Sequence, residues 1–320
     1  MSKESNILTI AIPTFNRPFH IQNAIESIVK QYRDGVDILI SDNSENEDTS
    51  KIVKEKFSKL SYTKYVKNSI NIGPDANFLQ CLNLAKGKFV LILSDDDMLL
   101  EGALDEIIDI ILDFPNIPII YLNHYSWEGP ISRKLTPRIP IEVNQFISNL
   151  SYDLTLVSAI VFNKNKFLEI KDSSRFIGSY LLQTGIAMEM IGRDGFGMIT
   201  GKVCLSVQKT SGEFGRYDVY QVFAINWKDI LLNAYHNGYI HRSTVRKAYS
   251  RTIFPFLTKA TLGWRHDETI NQYVKNKKLL FKVTKFYLNA WLFLYPAAIA
   301  PKFLISLLFK FRSRLSKRDL

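Results

Sequence analysis

Apolar runs and helix-patterned stretches alternate through the first 125 residues, and this alternation constrains the fold more than any other feature of the chain. Ile7-Leu8-Thr9-Ile10-Ala11-Ile12 is a continuous apolar run stopped by Pro13, the pattern of a strand covered on both faces. Ile21, Ala24, Ile25, Ile28 and Val29 then recur at helical spacing. Val36 to Ser41 reads as a second strand, about Thr49 to Leu60 as a helix, and Tyr62 to Lys67 as a short strand. About Asp75 to Lys86 reads as a helix closed by Gly87, leading into the run Phe89 to Ser94. Strands joined through helices lie parallel, so this order predicts an α/β fold with a doubly wound, mainly parallel sheet. Ligands of such sheets bind beyond the carboxyl ends of the strands.

Polar motifs stand at each of those ends. The last strand delivers three adjacent carboxylates, Asp95, Asp96 and Asp97, whose mutual repulsion calls for a cation or hydrogen-bond donors. The first is followed by Pro13-Thr14-Phe15-Asn16-Arg17, where Thr14 and Asn16 can cap a helix and Arg17 can meet a phosphate. The second ends in Ser41-Asp42-Asn43-Ser44, and Asn71-Ile72-Gly73-Pro74-Asp75-Ala76-Asn77 precedes the helix that leads to the carboxylates. Four polar turns therefore converge on one sheet edge. The chain has no Gly-x-Gly-x-x-Gly after its first strand and no Gly-Lys-Ser/Thr loop, which leaves a nucleotide held by carboxylates and a divalent cation. The histidines His20, His124, His236, His241 and His266 show no metal-ligand spacing.

In these residues the chain resembles the nucleotide-sugar domain of GT-A glycosyltransferases of family 2. The resemblance covers about Asn6 to Leu122, and within the family it is similar to the abequosyltransferase-like branch, where the Asn-Ile-Gly segment, the Asp triplet and a stretch like Phe176-Ile177-Gly178-Ser179 recur. It implies a GT-A type sheet and transfer of a sugar from a nucleoside diphosphate sugar to an acceptor hydroxyl, with inversion. Pro13, Thr14 and Asn16 would line the nucleotide, with Asn71, Gly73, Asn77 and Ser94 beside it. Asp42 would meet the base, Arg17 the phosphates and Asp95 the ribose. Asp96 and Asp97 would hold Mn2+ or Mg2+ on the diphosphate, neutralising the charge that develops as the glycosidic bond breaks.

The acceptor hydroxyl needs a base, and here the chain departs from the family's pattern. The usual acidic pair lies about a dozen residues before a Gly-aromatic step, and counting back from Gly195-Phe196 reaches Leu182-Gln183, neither of which can serve. Glu189, Asp153 and Glu213 are the candidates that remain. Glu213 lies in Ser211 to Asp218, a Gly-bearing segment able to close over a donor.

The net charge of +10 suggests nucleic acid until its distribution is read. Eleven of the 41 Lys and Arg and one of the 31 acids lie from Lys275 onward, so the first 274 residues are neutral. The surplus is interleaved with Leu, Phe, Trp and Tyr, which fits an anionic membrane surface and no nucleic acid. The longest uncharged part, Phe286 to Pro301, is 16 residues and carries Pro296, short of the roughly 20 a spanning helix needs. Lys278, Lys282 and Lys285 precede it, and Lys310, Arg312, Arg314, Lys317 and Arg318 follow.

These patterns divide the chain into a nucleotide-sugar-binding half (1–125), an acceptor-side half (126–228) and a helical, membrane-associating C-terminal region (229–320), with the membrane-binding segment at 279–318. A chain without an apolar leader and with only Cys81 and Cys204 is expected in the cytoplasm, peripheral on the inner face of the cell membrane. The resemblance implies a lipid-linked saccharide acceptor in the synthesis of O-antigen, capsule or exopolysaccharide. A sugar nucleotidyltransferase and a non-catalytic nucleotide-sugar-binding membrane protein are the competing readings.

Overall fold

The computed structural model describes residues 6–126, 129–130, 138–208, 217–266 and 277–307. Its centre is β1 (Leu8–Thr14), a strand buried along its whole length, as a run apolar on both faces requires. β1 pairs in parallel with β2 (Val36–Asp42) on one side and β4 (Phe89–Ile92) on the other, and β3 (Thr63–Lys67) adds to β2 in parallel. The crossovers are α1 (Pro18–Val29), α2 (Asp48–Phe57) and α3 (Pro74–Leu84). α1 buries Ile21, Ala24, Ile25 and Ile28, the residues whose spacing predicts it. Each of these isoleucine side chains taken fully from water contributes about 1.5–3 kcal/mol.

Register levels the strand ends. Thr14 pairs with Asp42, and Ile92 pairs with Ala11 three residues before Thr14, so Asp95 emerges beside Thr14. Gly87 does not close α3, which ends at Leu84 with Ala85 extended behind it. Its role is close approach: a Cβ there would lie 2.4 Å from the Thr9 backbone nitrogen, and the Gly87 N–H reaches the Thr9 hydroxyl at 2.8 Å.

The sheet continues through β5 (Met98–Leu99), α4 (Ala103–Asp113), β6 (Ile119–Ser126), β7 (Gly129–Pro130), β8 (Ile141–Glu142), α5 (Val143–Leu150), β9 (Ile160–Asn163), α6 (Lys164–Leu168), α7 (Leu182–Asp194) and β10 (Phe196–Ser206). Its strand order is β3-β2-β1-β4-β9-β6-β10-β5, with β7 on β6 and β8 on β10. β9 runs antiparallel to both β4 and β6, while β6 and β10 are parallel. The expected mainly parallel sheet is thus parallel through β3, β2, β1 and β4 and mixed beyond them. The apolar run Leu154 to Phe162 is not one strand: short 3₁₀ turns at Ser151–Thr155 and Val157–Ala159 take its first part, and β9 slots between β4 and β6 with its direction reversed.

Past the sheet the chain is helical. Tyr220–Asn226 winds as a wide turn into α8 (Trp227–His236), then come α9 (Arg242–Arg251), Thr252–Leu257, α10 (Thr258–His266), α11 (Lys277–Thr284), Ala290–Leu294 and α12 (Tyr295–Ile299). Buried polar contacts fix these helices: the Trp227 indole donates to Thr252 at 2.9 Å, and the Ser151 hydroxyl donates to the Ala248 carbonyl at 2.7 Å, tying α9 to the sheet domain. Leu280, Ala290, Leu294 and Ile305 are buried, while Phe286, Leu288, Trp291, Leu292, Ile299 and Phe303 are exposed. Among the described residues no helix is long and apolar enough to cross a membrane. Lys310, Arg312, Arg314, Lys317 and Arg318 lie outside the described residues.

Candidate active site

Just past β4 the three carboxylates take three different environments. Asp95 is buried; its Oδ2 accepts from the Thr14 hydroxyl at 2.7 Å and its Oδ1 from Arg17 Nη1 at 2.9 Å. Burial pushes its carboxyl above the usual range, against the pull of Arg17 and Thr14. Asp96 is the most accessible of the three: its Oδ2 accepts from the same Arg17 nitrogen at 3.2 Å and its Oδ1 from the Ser94 hydroxyl. Asp97 is buried, accepting the Ser158 hydroxyl on Oδ2 and the Gln208 N–H on Oδ1 at 3.1 Å. Burial first and the neighbouring Asp96 second push its carboxyl up to about 7.

A net of side-chain amides and hydroxyls locks the other three turns together. Asp42 is fully buried, its oxygens accepting the Ser44 N–H at 2.7 Å and the Tyr65 hydroxyl at 2.6 Å. Each oxygen keeps a second lone pair. Burial and the Asp42 carboxylate together push the Tyr65 hydroxyl well above its ordinary pKa. Asn16 sits at a left-handed φ of 55°, with its N–H on the Ser44 hydroxyl at 2.8 Å, which bends the chain after Pro13 towards the second turn. The Asn43 amide donates to the Gly73 carbonyl at 3.2 Å, and Asn71 Oδ1 accepts the Gly73 N–H at 2.9 Å. Asn77 exchanges hydrogen bonds with Ser41, whose hydroxyl donates to it at 2.6 Å and whose carbonyl accepts from it at 3.0 Å. The structure thus brings Pro13, Thr14, Asn16, Arg17, Asp42, Asn71, Gly73, Asn77, Ser94 and the triplet to one sheet edge.

Asp75 connects this edge to the turn ahead of α7. Its Oδ2 accepts the N–H groups of Gly178 and Tyr180, each at 2.8 Å, across more than 100 residues of sequence. Both residues have positive φ, 90° and 57°, so the carboxylate holds a sharp turn just ahead of α7, and burial raises its pKa. In α7, Gln183 is buried and its amide donates to the Thr155 carbonyl at 2.8 Å, while Oε1 has no hydrogen-bond partner. Asp153 lies on the turn facing it, where its carbonyl accepts the Tyr121 hydroxyl at 3.0 Å. Glu189 is held elsewhere, between the guanidiniums of Arg175 and Arg193. Glu213 lies outside the described residues.

Sequence reasoning misses Ser158, Gln208, Asp75 and Tyr65. Ser158 carries a signal, a hydroxyl inside the apolar stretch 156–162, and Asp75 stands openly in the segment Asn71 to Asn77. Gln208 acts through its backbone and Tyr65 through tertiary placement, so neither has one.

Among the described residues no group of three or more His, Cys, Asp or Glu side chains is placed to hold a metal ion by itself. A hard divalent ion that keeps waters and substrate phosphates needs only one or two protein carboxylates, and Asp96 with Asp97 provides that number of oxygen donors. The donor set fits an ion brought together with a diphosphate.

Residues 9–165 match the family described as glycosyl transferase family 2. Over 98 residues the chain is 38% identical to the GalNAc(5)-diNAcBac-PP-undecaprenol beta-1,3-glucosyltransferase of Campylobacter jejuni, covering 30% of this chain and 32% of that protein. Over 101 residues it is 33% identical to the abequosyltransferase RfbV of Salmonella typhimurium, covering 31% and 30%. The chain thus spans about a third of the length of these relatives. S. aureus TarS 1-349 in complex with UDP-GlcNAc is similar in structure, with a TM-score of 0.63 at 17% identity over 91% of this chain and 87% of that one. The mannosyltransferase PcManGT from Pyrobaculum calidifontis, in complex with GDP-Man and Mn2+, gives 0.56 at 13% identity over 92% and 86%. At such identities the likeness is one of fold.

Proposed function

By its residues 9–165 this chain belongs to glycosyltransferase family 2, and on that premise we propose that it moves a sugar from a nucleoside diphosphate sugar to a hydroxyl of a lipid-linked saccharide. The observation that carries the reading is the convergence of Thr14, Arg17, Asp42, Asn77 and the Asp95 to Asp97 triplet on one sheet edge, where Thr14 and Arg17 bond to Asp95 and the neighbouring residues Ser41 and Ser44 hold Asn77 and Asp42. Pro13, Thr14 and Asn16 line the nucleotide, with Asp42 beneath the base and Asp95 at the ribose. Asp96 and Asp97 are the ligands for Mn2+ or Mg2+, which when bound supplies positive charge to the leaving diphosphate. Arg17 adds a guanidinium able to bind phosphate oxygens in pairs.

The base is assigned to Asp153. Its support is position: the segment carrying it is hydrogen-bonded to Gln183, at the place where the family's acid is expected. Glu189 is committed to two arginines. A general base contributes about 10²–10⁴-fold, so Asp153→Asn is expected to lower kcat by about that factor with the donor KM unchanged. A parent-like rate would remove Asp153 from this role.

The acceptor's lipid accounts for the C-terminal helices, whose exposed Phe286, Trp291, Leu292 and Phe303 lie among lysines. The chain would work as a peripheral protein on the inner membrane face in polysaccharide synthesis, its nucleotide half at 1–125, acceptor half at 126–228 and helical region at 229–320. A thermal-shift screen of CDP-, dTDP-, UDP- and GDP-sugars with Mn2+ tests the donor site, since a bound donor raises the melting temperature by mass action. No shift with any of them would count against the reading. One observation favours a second reading, a non-catalytic nucleotide-sugar binder: the amide of Gln183 where an acid is expected. Turnover of the donor that binds, with release of nucleoside diphosphate, decides for the transferase.

A further inference from the structure

Arg17 already occupies the position where a second cation would have to act. One nitrogen of its guanidinium lies 2.9 Å from Asp95 Oδ1 and 3.2 Å from Asp96 Oδ2, and the other Asp96 oxygen is taken by the Ser94 hydroxyl. The side chains involved are 20%, 5% and 13% exposed, so the pair is shielded from bulk water and charge acts strongly between them. A divalent ion on Asp96 would stand within a few ångströms of this guanidinium, cation against cation. A diphosphate changes the balance, because phosphate oxygens offer a guanidinium paired, charge-assisted hydrogen bonds. Arg17 is the N-cap residue of α1 through its backbone, its carbonyl accepting the Ile21 N–H at 3.2 Å, but its side chain makes no capping bond, so the side chain can turn without disturbing the helix.

We propose that Arg17 is a resident counter-cation that keeps a divalent ion off Asp96 until a nucleoside diphosphate draws the guanidinium away, so that metal and donor are taken up together. The inference rests on the assignment of Asp96 to the metal in the proposed function, and it makes Arg17 a positioning residue with two successive partners. Coupling of this kind is reciprocal: the donor tightens the metal by the factor by which the metal tightens the donor.

The test uses Mn2+ alone, titrated into the full donor-free chain with the unbound ion followed by electron paramagnetic resonance. Arg17→Gln is expected to bind Mn2+ at least about tenfold more tightly than the parent, the least that removing a cation a few ångströms away should yield. Arg17→Lys keeps the charge on a side chain one bond shorter, which draws it back from the carboxylates, and is expected to fall between them. It carries the test alone if Arg17→Gln does not fold. Adding Asp96→Ala should abolish the gain in either variant. Equal Mn2+ affinity in parent and variants, still sensitive to Asp96→Ala, overturns the role of Arg17 and leaves the donor site standing. Mn2+ binding that ignores Asp96→Ala overturns the metal assignment itself.

Discussion

Asp97 is a buried carboxylate held at a cost to the fold. Its pKa, raised to about 7 from the ordinary 3.8, means that between those values the folded chain holds a proton that the unfolded chain has lost. The sign follows: as pH rises from about 4 through about 7, stability falls, and above about 7 the whole penalty is present. Asp97→Asn keeps an oxygen for the Gln208 N–H and removes the titration. Its melting temperature is expected to exceed the parent's at pH 8 and to approach it near pH 4, measured without donor or metal. A constant difference across that range would show that Asp97 does not titrate there. Asp96, the more accessible neighbour, should behave differently: Asp96→Ala is expected to abolish Mn2+-dependent transfer while the chain stays folded, checked by an unchanged far-ultraviolet circular dichroism spectrum, even though its contacts with Arg17 and Ser94 are lost. Retained transfer in EDTA would be incompatible with the metal assignment. That three acids stand together is plain in the sequence. Which of them is buried and which is open is decided by Ser158, Gln208 and Arg17, all distant along the chain.

At the level of elements, the ends of β1, β2 and β4 are legible because a parallel strand buried on both faces must be an uninterrupted apolar run, and polar residues mark where it stops. β9 is not legible. Ile160 to Phe162 is apolar whichever way it runs, and its reversed direction comes from the neighbours it lies between rather than from its own composition. Gly87 illustrates the same limit: sequence offers a helix stop, whereas the structure requires a residue without a Cβ against the β1 backbone. The tie between α3 and α7 through Asp75 is likewise tertiary. Asp75→Ala would leave the Gly178 and Tyr180 N–H groups without their acceptor, a loss of about 1–3 kcal/mol. Asp75→Asn keeps an acceptor oxygen and should lose less. If the turn at 176–180 shapes the acceptor side, Asp75→Ala should also raise the acceptor KM more than the donor KM. The converse order in steady-state kinetics would place the turn on the donor side.

For the whole molecule, the C-terminal helices stand beyond the sheet and its site, which lie within residues 8–208. Their buried side, Leu280, Ala290, Leu294 and Ile305, is a packing surface that holds the region together. Their outer side carries Phe286 at 82%, Ile299 at 78% and Phe303 at 69% exposure, an arrangement costly in water unless something apolar covers it. The basic residues concentrated from Lys275 onward favour an anionic cover, each worth about 1 kcal/mol near a charged lipid surface. Deleting the region would strip the packing surface as well and confuse unfolding with release, so substitutions on the outer side alone are the informative ones. Phe286→Ser with Phe303→Ser is expected to leave the melting temperature nearly unchanged and to lower sedimentation with phosphatidylglycerol vesicles by about tenfold or more, given about 1.5–3 kcal/mol for each fully buried aromatic. Raising the salt to 1 M should weaken what binding remains, because the Debye length falls to about 3 Å. Neutral phosphatidylcholine vesicles should retain the parent poorly. Vesicle binding that is equal for parent and double variant, or indifferent to lipid charge, would mean that the outer side meets a protein surface instead, and a concentration-dependent rise in mass on sedimentation would identify a second copy of the chain as that partner.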